Sequence, residues 1–268
     1  MDVLVYADPS PRGEWALAAG RQLAARVGRS VVLLATEEDA AARPDLLPRF
    51  RQALAGAEGI EERQRPGPAE RAVIAETSAH AYDLVIVPPA GRGAIARLLK
   101  GSRVASVVRQ ARAPVLVARR PPERIGRVLA ALSGRASAGP VCRAAAAIAK
   151  DLGARLALVH VVSEIRLPGA PRPPTGGEDA SGRPPHEAMQ RLLAACEIAA
   201  ELHLREGLVV EEILAEIENG AHELLVAGAE EPDEALGREP VGERLLLRCP
   251  VSMLVVPLAT SSPPSSRA

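Results

Sequence analysis

The 268-residue sequence predicts an α/β fold made of two tandem Rossmann-like doubly wound domains, each a five-stranded parallel sheet flanked by helices. Three observations carry this expectation. Short apolar runs alternate with amphipathic stretches, the pattern of parallel βαβ units whose strands are covered on both faces. The same pattern returns after 125 residues. The composition is that of a globular chain: 47% of residues are hydrophobic, and no apolar run reaches the ~18–20 residues of a membrane span.

Taken in order, Val3-Leu4-Val5-Tyr6 reads as a buried strand, followed by Asp8-Pro9-Ser10-Pro11. Ser10 is expected to cap a helix whose first position suits Pro11. Ala16, Ala19, Leu23 and Val27 then recur at helical spacing. Gly28 ends that helix, and Val31-Val32-Leu33-Leu34 is the second strand. Further strands are expected near 60–64, 83–87 and 114–118. In the second copy Val128 to Leu132 is a strand, and Val141, Ala144, Ile148 and Leu152 form the helix stripe. Gly153 stops that helix, and Leu156 to Val159 is the next strand, with His160 at its end. Later strands are expected near 200–205, 223–227 and 251–256. Ala81 to Val87 matches Ala221 to Ala227 at an offset of 140, and a Pro/Gly-rich insertion from Leu167 to Pro185 absorbs the change. The expected division is residues 1–121 and 122–258, with a Ser/Pro-rich tail, 259–268, expected to be disordered.

Charge and composition exclude several classes. Thirty-three basic residues balance thirty-three acidic ones, and one Trp, one Phe and two Tyr leave no platform for stacking bases, so no nucleic-acid partner is expected. The N-terminus lacks a basic-then-apolar leader pattern, so a cytoplasmic chain with no membrane partner is expected. The three cysteines, Cys142, Cys196 and Cys249, are widely spaced and imply neither a disulfide framework nor a zinc site. They are expected to be core residues, and no metal site is expected.

Doubly wound sheets bind ligands beyond the carboxyl ends of their strands, where the strand order reverses. After Val87 the chain reads Pro88-Pro89-Ala90-Gly91-Arg92-Gly93, and Gly101-Ser102 opens a further helix. Free N–H groups at a helix start form an anion site. Ten basic residues and one acidic residue lie between Arg92 and Arg127. Gly91, nine intervening residues and Gly101-Ser102 resemble the universal stress protein family, whose members carry Gly-x-x-Gly, nine residues, then Gly-Ser or Gly-Thr. Asp8, Gly67-Pro68, Tyr82-Asp83-Leu84-Val85 and Ala113-Pro114-Val115 extend the resemblance over almost the whole chain.

The resemblance implies a stress-response regulator without enzymatic activity, able to hold ATP with Mg²⁺, or another adenine nucleotide, in its N-terminal half. Asp8 and Thr36 would flank the base and ribose, and Gly91, Gly101, Ser102 and Arg103 would hold the phosphates. It also implies that Val115–Ala118 and Val251–Val256 pair across an internal pseudo-dimer, and a further homodimer is compatible with it. Pro88 departs from the family pattern, replacing its first glycine and removing an N–H. The second half departs further: Ser133 stands where Asp8 stood, Glu231 replaces Gly91, and Gly237-Arg238 replaces Gly101-Ser102. Nine acids and no Lys or Arg lie between Glu211 and Glu234, so this half is expected not to bind a nucleotide.

Three rival readings stay open. Gly91-x-Gly93-x-x-Ala96 imitates a dinucleotide fingerprint, but it follows the fourth strand instead of the first. A slow nucleotide hydrolase would need a second carboxylate or base that no motif supplies. A ligand-free interaction module of the same family, with an unidentified protein partner, is the third.

Overall fold

The computed structural model describes residues 2–27, 30–57, 59–89, 110–111, 113–133, 138–163, 185–229 and 240–257. The first half contains β1 (Val3–Tyr6), α1 (Gly13–Val27), β2 (Val31–Thr36), α2 (Glu37–Ala42), α3 (Leu46–Ala53), β3 (Ile60–Arg65), α4 (Ala69–Ala79), β4 (Leu84–Val87) and β5 (Val115–Val117). The second contains β6 (Arg127–Ala131), α5 (Ala138–Leu152), β7 (Arg155–Ser163), α6 (Pro185–Cys196), β8 (Ala200–Gly207), α7 (Val209–Asn219), β9 (Leu224–Gly228), α8 (Val241–Arg248) and β10 (Ser252–Val256).

All ten strands form one sheet in the order β3-β2-β1-β4-β5-β10-β9-β6-β7-β8. Each half contributes five parallel strands, and the halves meet where β5 and β10 run antiparallel, Leu116 opposite Leu254. The closing strands therefore pair as the resemblance implies. The central strands β1 and β2 are buried throughout, which is why they read as unbroken apolar runs. The outermost strands, β3 (Ile-Glu-Glu-Arg-Gln-Arg) and β8 (Ala-Glu-Leu-His-Leu-Arg-Glu-Gly), are instead heavily charged. Charge on the two free edges discourages pairing with another chain.

Side chains alternate across the sheet, so each strand feeds two cores. Val3 and Val5 face one core with α1, α3, α5 and α6, while Leu4 and Tyr6 face the other with α4, α7 and α8. Both cores continue across the β5–β10 seam, and α1 touches α5 there. Ala16, Ala19 and Leu23 lie in the core as their spacing predicts. On α5, Val141, Ala145, Ile148 and Leu152 are buried, with Ala144 at the margin. Gly153 terminates α5 with φ +61°, a conformation that favours glycine.

Two local expectations are corrected. The first helix begins at Gly13, not at Ser10-Pro11, because the Asp8 carboxylate accepts the Ser10 N–H at 2.7 Å and makes a turn of residues 8–12. β7 runs three residues beyond His160, because β8 pairs with it as far as Ser163. No helix among the described residues is long and apolar enough to cross a membrane.

Candidate functional site

The strand order reverses at β1, which has β2 on one side and β4 on the other. The carboxyl ends of these three strands bring together Asp8, Thr36 and Pro88. Asp8 is 7% exposed, and its Oδ1 is held by the Ser10 N–H. Gly13 lies so close that a Cβ there would sit 2.0 Å from the Asp8 carbonyl oxygen, so the turn requires a residue without a side chain. Pro88 and Pro89 are buried beside the end of β4, where Val87 O accepts the Ala118 N–H at 2.9 Å. Gly91, Gly101, Ser102 and Arg103 lie outside the described residues.

Thr36 caps α2: its Oγ1 accepts the Asp39 N–H at 3.0 Å. The Asp39 carboxylate in turn accepts from the Tyr6 hydroxyl at 3.0 Å. Burial, and then the Asp39 charge, push the Tyr6 phenol far above its ordinary range, so it acts as a fixed hydrogen-bond donor. The reading of the sequence did not single out Tyr6 or Asp39. Thr36-Glu37-Glu38-Asp39, an N-cap followed three residues later by an acid, was the available signal.

The second half differs at the equivalent place. Beyond β6, β7 and β9 lies a cavity of about 190 Å³ lined by Leu132, His160, Val209, Ile213, Val241 and Leu245 among others. Ser133 lines it in place of the acid, half-buried. His160 donates through Nδ1 to the Leu132 carbonyl at 2.9 Å, which accounts for its burial within β7. Gly242, at the start of α8, approaches the Gly228 carbonyl so closely that a Cβ would stand 3.3 Å from it. Glu231, Gly237 and Arg238 lie outside the described residues.

Away from the strand ends, each half buries one glutamate on the helix that leads to its fourth strand. Glu76 on α4 accepts from Arg63 (2.6 Å), Arg65 (2.8 Å) and the Tyr82 hydroxyl (2.7 Å). Burial alone would raise its pKa, but these three donors hold the carboxyl below its usual range. The copy in the second half is Glu216, 2% exposed, which Arg205 holds from β8 at 3.0 Å. Where the first copy has Arg63 and Tyr82, the second has His203, with Nδ1 3.3 Å from the carboxylate, and His222, with Nε2 3.7 Å from it. His222 is 4% exposed, and among the described residues neither ring nitrogen has a hydrogen-bond partner. Sequence reasoning missed this pair, although the 140-residue offset that aligns Val87 with Ala227 also aligns Glu76 with Glu216. No group of three or more His, Cys, Asp or Glu among the described residues is placed to hold a metal.

A doubly wound sheet laid down twice, with a buried acid beyond the first strand of the leading copy, defines an α/β protein built as a tandem repeat. The universal stress protein family model matches residues 1–119 and again 124–257, and the chain belongs to that family. A universal stress protein from Archaeoglobus fulgidus is similar over 97% of both chains, with a TM-score of 0.73 and 18% identity. A putative universal stress protein from Pseudomonas aeruginosa matches 96% of this chain and 92% of its own, with a TM-score of 0.70 and 20% identity. The cytoplasmic domain of a prokaryotic cation chloride cotransporter has a TM-score of 0.56 at 14% identity, covering 95% of this chain and 94% of its own. At such identities these likenesses show the fold alone. No curated protein matches the chain.

Proposed function

We propose that the chain is a cytoplasmic, non-enzymatic stress-response regulator that takes an adenine nucleotide in its N-terminal half only. The observation that carries this reading is Asp8, a carboxylate kept 7% exposed beyond β1, where the order of the parallel strands reverses. A carboxylate in that position accepts hydrogen bonds, as it does from Ser10, and so suits the donors of a base or ribose. Phosphates then fall to Gly91, Gly101, Ser102 and Arg103, with Mg²⁺ accompanying ATP. The second half lacks the acid, and its cavity is walled mainly by aliphatic side chains. Glu230, Glu231, Asp233 and Glu234 follow two residues or more after Gly228, close enough along the chain to repel a triphosphate.

Titration calorimetry with Mg-ATP on the purified chain tests the reading. One site per chain is expected, lost in Gly101→Asp, with slowed amide exchange in residues 88–102 on saturation. Two equal sites would overturn the assignment to one half. A second reading, a ligand-free interaction module, is favoured by Pro88, which removes a backbone donor at the mouth of the site, and by Thr36, whose hydroxyl is already engaged in capping α2. Absence of heat at millimolar ATP would leave that reading standing.

A further inference from the structure

Cys142 and Cys196 are separated by 53 residues, yet the fold sets their sulfurs 3.8 Å apart, Cys142 on α5 and Cys196 in the last turn of α6. Both are free thiols. We propose that they form a reversible disulfide when the chain meets a hydroperoxide, with Cys196 reacting first and Cys142 resolving.

The roles follow from the surroundings. Cys142 is fully buried, whereas Cys196, in the last turn of α6, is only partly buried. Burial, and then the neighbouring Cys196, push the Cys142 thiol upwards, in keeping with a resolving role. Lys150 on α5 donates to the Cys196 backbone carbonyl at 2.7 Å and so ties the end of α6 to the helix that carries Cys142.

In the first step the Cys196 thiolate attacks the distal oxygen of the hydroperoxide. An S–O bond forms, the O–O bond breaks, and the released alkoxide or hydroxide takes up a proton. Cys196 is then a sulfenic acid. In the second step the Cys142 sulfur attacks the Cys196 sulfur, the S–O bond breaks, and the hydroxyl leaves with the Cys142 proton as water. Two thiols are oxidised and one peroxide is reduced. The sulfurs must approach about 1.8 Å closer than in the reduced pair, a movement that side-chain torsions on two packed helices can supply. The bond fastens α6, the helix that follows the insertion within the second repeat, to α5.

The test treats the native full-length chain with hydrogen peroxide, alkylates the remaining thiols after denaturation, and weighs the intact chain and its tryptic peptides. A monomer lighter by two hydrogens is expected, with Ala136–Arg143 joined to Leu192–Arg205, Cys249 alone alkylated, and complete reversal by dithiothreitol. Cys142→Ser is expected to stop at a sulfenic acid on Cys196 that dimedone traps, and Cys196→Ser to lose the reaction. Unreacted thiols at saturating peroxide would overturn the proposal. So would a link between two chains, or overoxidation of Cys196 in the wild-type chain while Cys142 remains free. The peptide readout on the wild-type chain decides the matter even if a variant fails to fold.

Discussion

Glu76 and Glu216 occupy the same position in the two copies, and their neighbours give them different responses to acid. Glu76 accepts from two guanidinium groups and a phenol, and its one neighbouring imidazole among the described residues, His80 at 3.7 Å, is exposed to solvent and not buried with it. Glu216 faces His203 and His222, with Arg205 and Glu201 on β8, Arg127 on β6, and Glu223 beside His222. Burial, and then the Arg127 charge, hold the His222 pKa below its ordinary value despite the attraction of Glu216. The unfolded chain therefore takes up that proton first as pH falls. Stability is complete above about pH 6.5 and declines as pH drops towards the lower folded-state value. His222→Tyr, which copies Tyr82, is expected to flatten this part of the stability curve, as read by urea denaturation between about pH 7 and 5. A second prediction at this scale concerns Gly13. Gly13→Ala drives a methyl into the Asp8 carbonyl and should cost about 1–3 kcal/mol in the same measurement.

Among the elements, α2 is short and has no buried side chain, so it depends on its cap. Thr36→Ala removes the acceptor for the Asp39 N–H, and a loss of about 1 kcal/mol is expected. Because Asp39 also receives the Tyr6 hydroxyl, loosening this turn reaches the end of β1 beside Asp8. The turn after β4 gives a complementary prediction. Pro88→Gly restores an N–H where the family pattern has glycine, and one added hydrogen bond should tighten Mg-ATP about tenfold by calorimetry. Unchanged affinity would remove Pro88 from the site.

At the scale of the whole molecule, the decisive feature is the antiparallel β5–β10 seam, with Arg119 N donating to Ser252 Oγ at 3.0 Å just beyond it. Both cores run continuously through it, so the repeats should unfold together. Leu254→Ala, at the midpoint opposite Leu116, is expected to cost about 2–5 kcal/mol. Calorimetry is expected to show one heat transition in the native chain. Two separate transitions in the native chain would mean that the halves are independent.

Much of this architecture was legible in the chain itself. Buried parallel strands such as Val31–Thr36 announce themselves as apolar runs, and Gly153 marks a helix end that only a positive φ allows. The place of Asp8 just beyond the first strand was legible because the end of an apolar run is a local signal. The start of α1 was not, since Ser10 and Asp8 both offer a way to engage the local N–H groups, and only the packed turn shows that the carboxylate prevails.

The sequence by itself determined the repeat, the strand alternation and the loss of the acid at Ser133, because periodicity and spacing are local properties of a chain. Only the tertiary structure decided that Cys142 meets Cys196, that Thr36 is engaged as a cap, and that Glu216 lies between two histidines. Those contacts depend on how helices from distant segments settle onto one sheet. Their distances arise from packing, on which spacing along the chain places almost no constraint.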